Sequence, residues 1–329
     1  MPSSQAFPID LSLVIPLLDE SESLPELLRQ ILEATLPLKN KSSNALTLEV
    51  IFINDGSSDG SDAVIKSLIA EHHKAGTREL KLISFQKNYG KSAGLHIGFE
   101  AARGEYVITM DADLQDSPYE IPNLMAKIDE GFDLVSGWKK IRHDPISKTL
   151  PSRFFNFVTS TLTGIPIHDF NCGLKAYRYE VVKSVQIYGE MHRYIPVLAK
   201  WNGFRVSEIV VEHRARKFGV SKFGISRFFK GFLDLLTVLF ITKYMKRPMH
   251  FFGTLGIFCF LLGFGMGLYL TIEKLLYDAS LSNRPILFLA VLLIILGVQL
   301  FLGGLLGEMI TKSYAQSEPY FIKEKINID

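Results

Sequence analysis

Four times in the first half of the chain, a short aliphatic run ends in polar and acidic positions and is followed by apolar residues at helical spacing. Leu11–Pro16 leads into Asp19–Pro25 and then into Leu24, Leu27, Leu28, Ile31 and Leu32. Leu48–Ile53 runs into the loop Asn54–Gly60, where Asp59 or Ser61 can cap the next helix. Leu80–Phe85 precedes Asn88–Ser92 and a helix over Ala93–Ala102, and Glu105–Met110 stops abruptly at Asp111, Asp113 and Asp116 before a turn at Pro118. Alternating strands and helices predict an α/β domain with a mostly parallel, doubly wound sheet whose loops gather at one edge. Asp19, Asp55, Lys91 and Asp111 all follow strands and are expected to converge there. A fifth strand at Asp133–Gly137 and an amphipathic helix over Lys148–Leu162 extend the fold. A short strand at Leu174–Tyr177, helices near Val181 and over Tyr194–Trp201, and an alternating strand over Arg205–Glu212 complete it.

The pattern then changes. From Phe223 to Tyr244 the apolar residues keep to one helical face, with Arg227, Lys230 and Asp234 opposite, which predicts a helix lying on a membrane surface or docked on the domain. Phe251–Ile272 and Ile286–Gly307 carry no charged side chain and are long enough to span a bilayer. Lys243, Lys246, Arg247, Lys312, Lys323 and Lys325 flank the pair, while the link between carries only Lys274 and Arg284 against Glu273 and Asp278. This bias predicts that the globular domain and both termini are cytoplasmic. Glycines at 253, 256, 263, 265, 267, 297, 303, 304 and 307 allow close helix contacts, within the hairpin or in a homo-oligomer. The expected division is a catalytic domain over 1–222, an amphipathic juxtamembrane helix over 223–248, a two-helix hairpin over 249–310 and a cytoplasmic tail over 311–329.

Composition agrees with a membrane protein: 47% of the 329 residues are hydrophobic and mean hydropathy is +0.18. The net charge of +2 implies no general nucleic-acid affinity. Two cysteines, Cys172 and Cys259, make no disulfide framework, and the N-terminus has no basic segment leading into an apolar signal core.

The acids after the fourth strand read either as a turn capping the next helix or as a site for a hard cation such as Mg²⁺ or Mn²⁺ holding a diphosphate. Lys139, Arg142, Lys148, Arg153, Arg214, Arg216, Lys217 and Lys222 supply cations on both sides of the Asp169 loop, suited to a second phosphate or to an anionic membrane surface. Asp169 could act as a base, orient a cation or bind sugar hydroxyls; His213 could face diphosphate or metal, or be structural. No zinc spacing, catalytic serine triad, P-loop lysine motif or dinucleotide glycine fingerprint occurs at these strands.

Val14–Pro16 with Asp19 and Glu20, Asn54–Gly60, Asp111–Pro118, Asp169–Gly173 and His213–Lys222 resemble, in that order, the inverting GT-A glycosyltransferases of family 2 that load a sugar onto a polyprenyl phosphate. With two C-terminal membrane helices, the chain looks more like the bactoprenol glucosyltransferases than the dolichyl-phosphate mannose synthases. The resemblance implies a Rossmann-like GT-A domain in which Pro16, Asp19, Asp55 and Asp111 hold the nucleotide sugar and Asp113 and Gln115 ligate the metal; Glu20 and Lys91 are further candidates for the nucleotide sugar, and Asp169 joins Asp111 and Asp113 as a candidate for the chemistry. Lys139, Lys148, Ser152 and Arg216 are implied for the lipid phosphate, although the mannose synthases usually have arginine where Lys139 and Lys148 stand; Arg153 and Lys222, from the same basic clusters, are further candidates. The implied activity is inverting transfer of glucose from UDP-glucose to undecaprenyl or a related polyprenyl phosphate at the cytoplasmic face of the inner membrane. GDP-mannose as donor and a catalytically silent nucleotide-sugar-binding partner are the alternatives. A processive synthase is disfavoured by the missing Q-x-x-R-W motif and by only two spans.

Overall fold

The computed structural model describes residues 7–72, 78–141, 146–187, 189, 191–214, 248–277, 280 and 284–315. The described chain forms two compact units, an N-terminal α/β domain and a C-terminal helical hairpin. The expected surface helix over 223–244 and the tail beyond 315 lie outside the described residues, as do Arg216, Lys217 and Lys222.

In the N-terminal unit the strands are β1 (Ile9–Leu17), β2 (Leu48–Asn54), β3 (Arg78–Ser84), β4 (Gly104–Thr109), β5 (Leu134–Trp138), β6 (Lys175–Arg178) and β7 (Val206–Val210). The intervening helices are α1 (Leu24–Thr35), α2 (Ser61–His72), α3 (Lys91–Ala101), α4 (Ile121–Asp129), α5 (Ile146–Thr163), α6 (Tyr179–Ser184) and α7 (Ile195–Trp201). One sheet runs in the order β3-β2-β1-β4-β6-β5-β7. All its pairs are parallel except those of β6, which lies antiparallel between β4 and β5. The chain leaves β1 toward β2 and β3 and returns to place β4 on the other side of β1, so the switch point of the winding lies between β1 and β4, where open α/β sheets bind ligands.

The central strands are apolar on both faces because helices cover both: Leu13, Ile15, Phe52 and Ile108 on one face and Val14, Ile51, Ile53 and Val107 on the other are fully buried. Pro16 is tolerated inside β1 because its β4 pairing ends at Val14↔Thr109. Residues two apart point to the same side of a strand, so the missing N–H at Pro16 faces the gap where β4 has turned away. At the opposite end of the sheet Glu49, fully buried on β2, is held by Ser12 (2.5 Å), Lys81 (2.6 Å) and the Arg103 backbone amide (2.7 Å). Burial works against its ionisation, but Lys81, Ser12 and Arg103 outweigh it and keep the carboxyl below the ordinary range.

The C-terminal unit consists of α8 (Pro248–Tyr277) and α9 (Pro285–Ala315), both long and apolar enough to cross a membrane. The helices meet at glycines: a Cβ at Gly256 would lie 2.7 Å from the Gly297 carbonyl oxygen, and one at Gly297 would lie 2.6 Å from the Phe260 nitrogen. Gly263 and Gly304 extend the same seam against Ala290 and Gly253, so the backbones touch without intervening side chains.

Candidate active site

The carboxyl ends of β1, β2, β3 and β4 carry four loops, each fastened to the next. Asp19 sits in the left-handed region (φ 54°); its amide donates to Ser57 Oγ at 2.9 Å, and its Oδ1 accepts from the Ser58 amide at 2.8 Å. The Ser21 amide donates to Asp59 Oδ2 at 2.8 Å, while Asp59 Oδ1 accepts from Ser61 Oγ at 2.6 Å and from its amide at 3.0 Å at the start of α2. Burial opposes ionisation of Asp59, yet Ser61 and Ser21 overcome it and bring the carboxyl to about 2. Asp55 accepts the amides of Tyr89 (2.7 Å) and Gly90 (2.9 Å), drawing the loop before α3 onto the β2 loop. Gly56 makes this approach possible: at φ 75°, a Cβ there would lie 2.6 Å from the Lys87 carbonyl carbon.

Asp19 and Asp55 therefore organise the loops. A carboxylate oxygen has two lone pairs, so acceptor capacity remains for a ligand. The ring of Tyr89 is 59% exposed beside this junction.

From the other side, Lys91 at the start of α3 pairs with Asp111 Oδ1. Burial would raise the Asp111 carboxyl, but Lys91 first, then Lys139 and Lys175, hold it at about 2. Gly173 is the second glycine that matters: a Cβ there would stand 2.6 Å from the Asp111 carboxyl carbon, so the loop before β6 packs directly over the acid. Leu114, at φ 60°, places a strained left-handed turn inside the acidic loop, and the Gln115 amide donates to Asp113 Oδ1 at 3.2 Å. The Gln115 side-chain amide makes no hydrogen bond among the described residues, while its backbone oxygen accepts from the Arg214 amide at 2.8 Å. An isolated antiparallel bridge, Asp116↔His213, joins the acidic loop to the residues after β7.

Asp116 is fully buried and lies 2.7 Å from Lys139 Nζ, whose side chain is 14% exposed. The contact is an ion pair without hydrogen-bond angles, and Asp116 Oδ2 accepts no hydrogen bond among the described residues. Burial raises Asp116, with Lys139 opposing and Asp111 and Asp113 adding to it. Burial lowers Lys139, but Asp116 and Asp111 reverse this and raise it. At 2.7 Å the charged pair is the form that satisfies both groups.

Asp116 thus does not cap the following helix; Ser117 takes that place, without a side-chain hydrogen bond. Lys139, expected at the lipid phosphate, faces the acidic loop instead. The buried, underused Asp116 oxygen, the Asp113 carboxylate and the unbonded Gln115 amide are hard oxygen donors, and they fit a divalent cation of the Mg²⁺ or Mn²⁺ class.

Asp169 is buried, and its Oδ1 accepts the Asn171 amide at 3.1 Å, turning it into its own loop. Pro16 is buried at the end of β1 and Glu20 lies half-buried after it. Ser152 and Arg153 lie on α5, Arg153 exposed; Lys148 is on the same helix, in a stretch described by its backbone alone.

Two residues that no motif singles out also stand here. Lys175, 4% exposed on β6, donates to the Cys172 carbonyl, and burial lowers its ammonium. His192 is 3.0 Å from Ser92 Oγ, and burial, followed by Lys91, lowers it well below 6.5, so it is neutral. With Lys91, Thr109 and Tyr177 they line a narrow cavity among α3, β4 and β6. Their only signal in the sequence is adjacency to Gly173 for Lys175, and none for His192. Burial also pushes Cys172 up to about 12, so its thiol is not a nucleophile.

Comparison with known proteins places these features in a family. Residues 12–186 match the family described as glycosyl transferase family 2. The chain is 35% identical over 324 residues to a dodecaprenyl-phosphate galacturonate synthase of Rhizobium johnstonii, covering 97% of this chain and 93% of that protein. It is 36% identical over 326 residues to an undecaprenyl-phosphate 4-deoxy-4-formamido-L-arabinose transferase of Pseudomonas aeruginosa, covering 97% and 91%. Among solved structures, glucosyl-3-phosphoglycerate synthase of Mycobacterium tuberculosis with Mn²⁺ and UDP-glucose aligns with a TM-score of 0.51 at 17% identity, over 71% of this chain and 79% of that one. The same enzyme with Mg²⁺ and UDP also gives 0.51, at 16% identity and with the same two coverages. These alignments carry the fold, which is GT-A-like. The matched segment contains every acid of the crevice and the relatives run on through both apolar helices, so the chain belongs to glycosyl transferase family 2 and is a glycosyltransferase.

Proposed function

We propose that the protein transfers a sugar from a nucleoside diphosphate sugar to a polyprenyl phosphate at a membrane surface. The observation that carries this reading is the acid cluster at the β1/β4 switch point, with Asp111 fixed by Lys91 and Gly173 beside Asp113, Gln115 and Asp116. Acids face a diphosphate only if a cation stands between them, and Asp113 and Gln115, with Asp116 behind them, are the residues that would hold Mg²⁺ or Mn²⁺. When bound, such a cation offsets the charge that develops on the departing diphosphate. Asp111, ionised and oriented by Lys91, then accepts hydrogen bonds from the donor sugar, and the loops tied by Asp19 and Asp55 hold the nucleotide.

A lipid phosphate is already ionised near neutral pH, so attack on the anomeric carbon needs no strong base. The role of Asp169 is accordingly to shape the loop before β6, and its burial supports this. Arg153, exposed on α5, and Lys148, Ser152, Arg216 and Lys222 are the candidates for the acceptor phosphate, with guanidinium groups best suited to its oxygens. Lys139 acts instead through Asp116, as the counter-ion of the acidic loop. The positive flanks of the apolar helices support a cytoplasmic side of the inner membrane for the catalytic domain and both ends of the chain.

The sugar is the open part of the reading. The relatives carry galacturonate and formamido-arabinose, which draws the proposal away from plain glucose and toward a modified sugar. The test is to incubate the purified protein with Mg²⁺, undecaprenyl phosphate and, in parallel, labelled UDP-glucose, UDP-galacturonate, a UDP-4-formamido-arabinose and GDP-mannose. Label in the organic phase from one of them supports transfer and names the donor. No extractable label with any, despite nucleotide-sugar binding, favours a silent binding partner.

A further inference from the structure

Three side chains on neighbouring strands stand in one row across the sheet. Thr109 ends β4, Lys175 opens β6 and Ser136 lies in β5, and the register pairs Lys175 with Thr109 on one side and with Ser136 on the other. Directly opposed residues share a face of the sheet, so the three side chains emerge side by side. All three are buried. Each donates to a backbone carbonyl of the same loop, Asp169–Gly173: Ser136 Oγ to Asp169 at 3.3 Å, Lys175 Nζ to Cys172, and Thr109 Oγ1 to Gly173 at 2.8 Å. The Gly173 carbonyl can only accept, so it takes the single Thr109 proton, and the Tyr177 hydroxyl, 3.3 Å away, donates to Thr109 Oγ1 in turn.

The importance of the row lies in what it holds. The carbonyls of Cys172 and Gly173 belong to the two peptide planes that meet at the Gly173 α-carbon, and that carbon packs against the Asp111 carboxylate. Glycine has more backbone freedom to lose than any other residue, so this wall stays in place only if both planes are fixed. Thr109 and Lys175 fix one each. A neutral donor would hold the Cys172 carbonyl equally well, and a buried ammonium is costly. Lys175 makes no ion pair and no second hydrogen bond among the described residues, so no structural counter-ion accounts for its charge. It lines the same narrow cavity as Lys91 and Gly173, and both lysines favour the ionised form of Asp111.

We infer that Thr109, Lys175 and Ser136 are positioning residues for the transfer: as a row of donors they grip the Asp169–Gly173 loop and thereby hold Asp111 at the donor sugar. The inference rests on the transfer reading of the site.

The test uses the full-length protein. Thr109→Val removes one donor with little change of shape, Thr109→Ser restores it, and Lys175→Met removes the ammonium at nearly the same length. Hydrogen exchange comes first. Peptides covering 169–174 should exchange about tenfold faster in Thr109→Val and Lys175→Met than in the wild type or Thr109→Ser, the size of one lost hydrogen bond, while β1 and β2 keep their rates. Unchanged exchange over 169–174 would overturn the grip. Transfer to undecaprenyl phosphate is then measured with the donors named above, beside binding of UDP in Mn²⁺. Expected is a kcat lower by about tenfold or more in Thr109→Val and Lys175→Met, near the wild-type value in Thr109→Ser, with UDP binding unchanged. In an Asp111→Asn background Thr109→Val should lower transfer by less than about twofold, because its effect passes through that acid. Undiminished kcat in Thr109→Val, lost UDP binding, or a full loss that persists beside Asp111→Asn would each overturn the inference and leave the transfer reading intact. Absence of lipid label from the wild type would overturn that reading, and the inference with it.

Discussion

Asp111 is held from two sides. Lys91 holds one side of its carboxylate, and Gly173 leaves no room on the other. Adding a methyl group at Gly173 would push the acid off this position, because a Cβ 2.6 Å from the carboxyl carbon is far inside contact distance. Gly173→Ala is therefore expected to lower transfer by roughly two orders of magnitude, the cost of displacing a positioned group by about an ångström. Its melting temperature should fall only slightly, since the carboxylate can swing. Equal activity of the variant and the wild type would show that Asp111 need not stand where it does.

The acids of this site are readable in the sequence because an apolar strand that stops at alternating aspartates is a local pattern. Lys175, His192 and the pairing of Lys139 with Asp116 are not readable in that way. Each is an ordinary residue type whose role comes from being buried against a distant segment, and a basic residue in a basic stretch reads as solvated surface.

Among the elements, the β1, β2 and β4 units are legible from their aliphatic runs; the structure extends β1 and β2 by a few residues and shifts β4 by one. The antiparallel insertion of β6 between β4 and β5 is not. Leu174–Tyr177 is short enough to suit several pairings, and its hydrogen-bond partners lie far away in the chain. The same non-locality hides the Asp116↔His213 bridge.

Two expectations belong at this scale. Glu49 is the buried partner of Lys81 and Arg103 at the base of β2, both partly exposed, so Glu49→Gln removes their buried acid and leaves them with Glu79 and water. A loss of about 2–3 kcal/mol is expected, or roughly 5–10 °C in melting temperature. A change under a degree would mean the buried acid contributes nothing net. Asp59 fastens the β1 loop to α2, and its folded value of about 2 lies below the ordinary 3.8. A depressed acid contributes stability that is complete above its unfolded value and is lost as pH falls through the folded one. The melting-temperature gap between wild type and Asp59→Ala should accordingly narrow as pH drops from about 4 to 2. A constant gap would remove the charge from the account.

For the whole molecule, the sequence delimits the soluble and apolar parts well, because charge-free stretches of this length are unambiguous about where apolar surface lies. What it does not disclose is which helix faces are already used. The glycine seam between α8 and α9 consumes Gly256, Gly263, Gly297 and Gly304, whereas Gly265 and Gly303 remain open, a distinction that only the packing makes. Orientation is testable directly. A reporter active only outside the cytoplasm should be active between Tyr277 and Pro285 and silent when fused after Ala315. The reverse pattern would place the acidic crevice on the wrong side for nucleotide sugars.

The central claim is that the acids beside β4 act on a nucleotide sugar for delivery to a lipid phosphate. Its most direct test compares wild type with Asp111→Asn for label passing from the best donor into the organic phase, with and without undecaprenyl phosphate. The account predicts lipid-dependent label from the wild type and a loss of roughly a hundredfold or more in the variant, as expected when a positioned charged group at the reacting sugar is removed. Undiminished transfer by Asp111→Asn, or label that appears without the lipid, would contradict it.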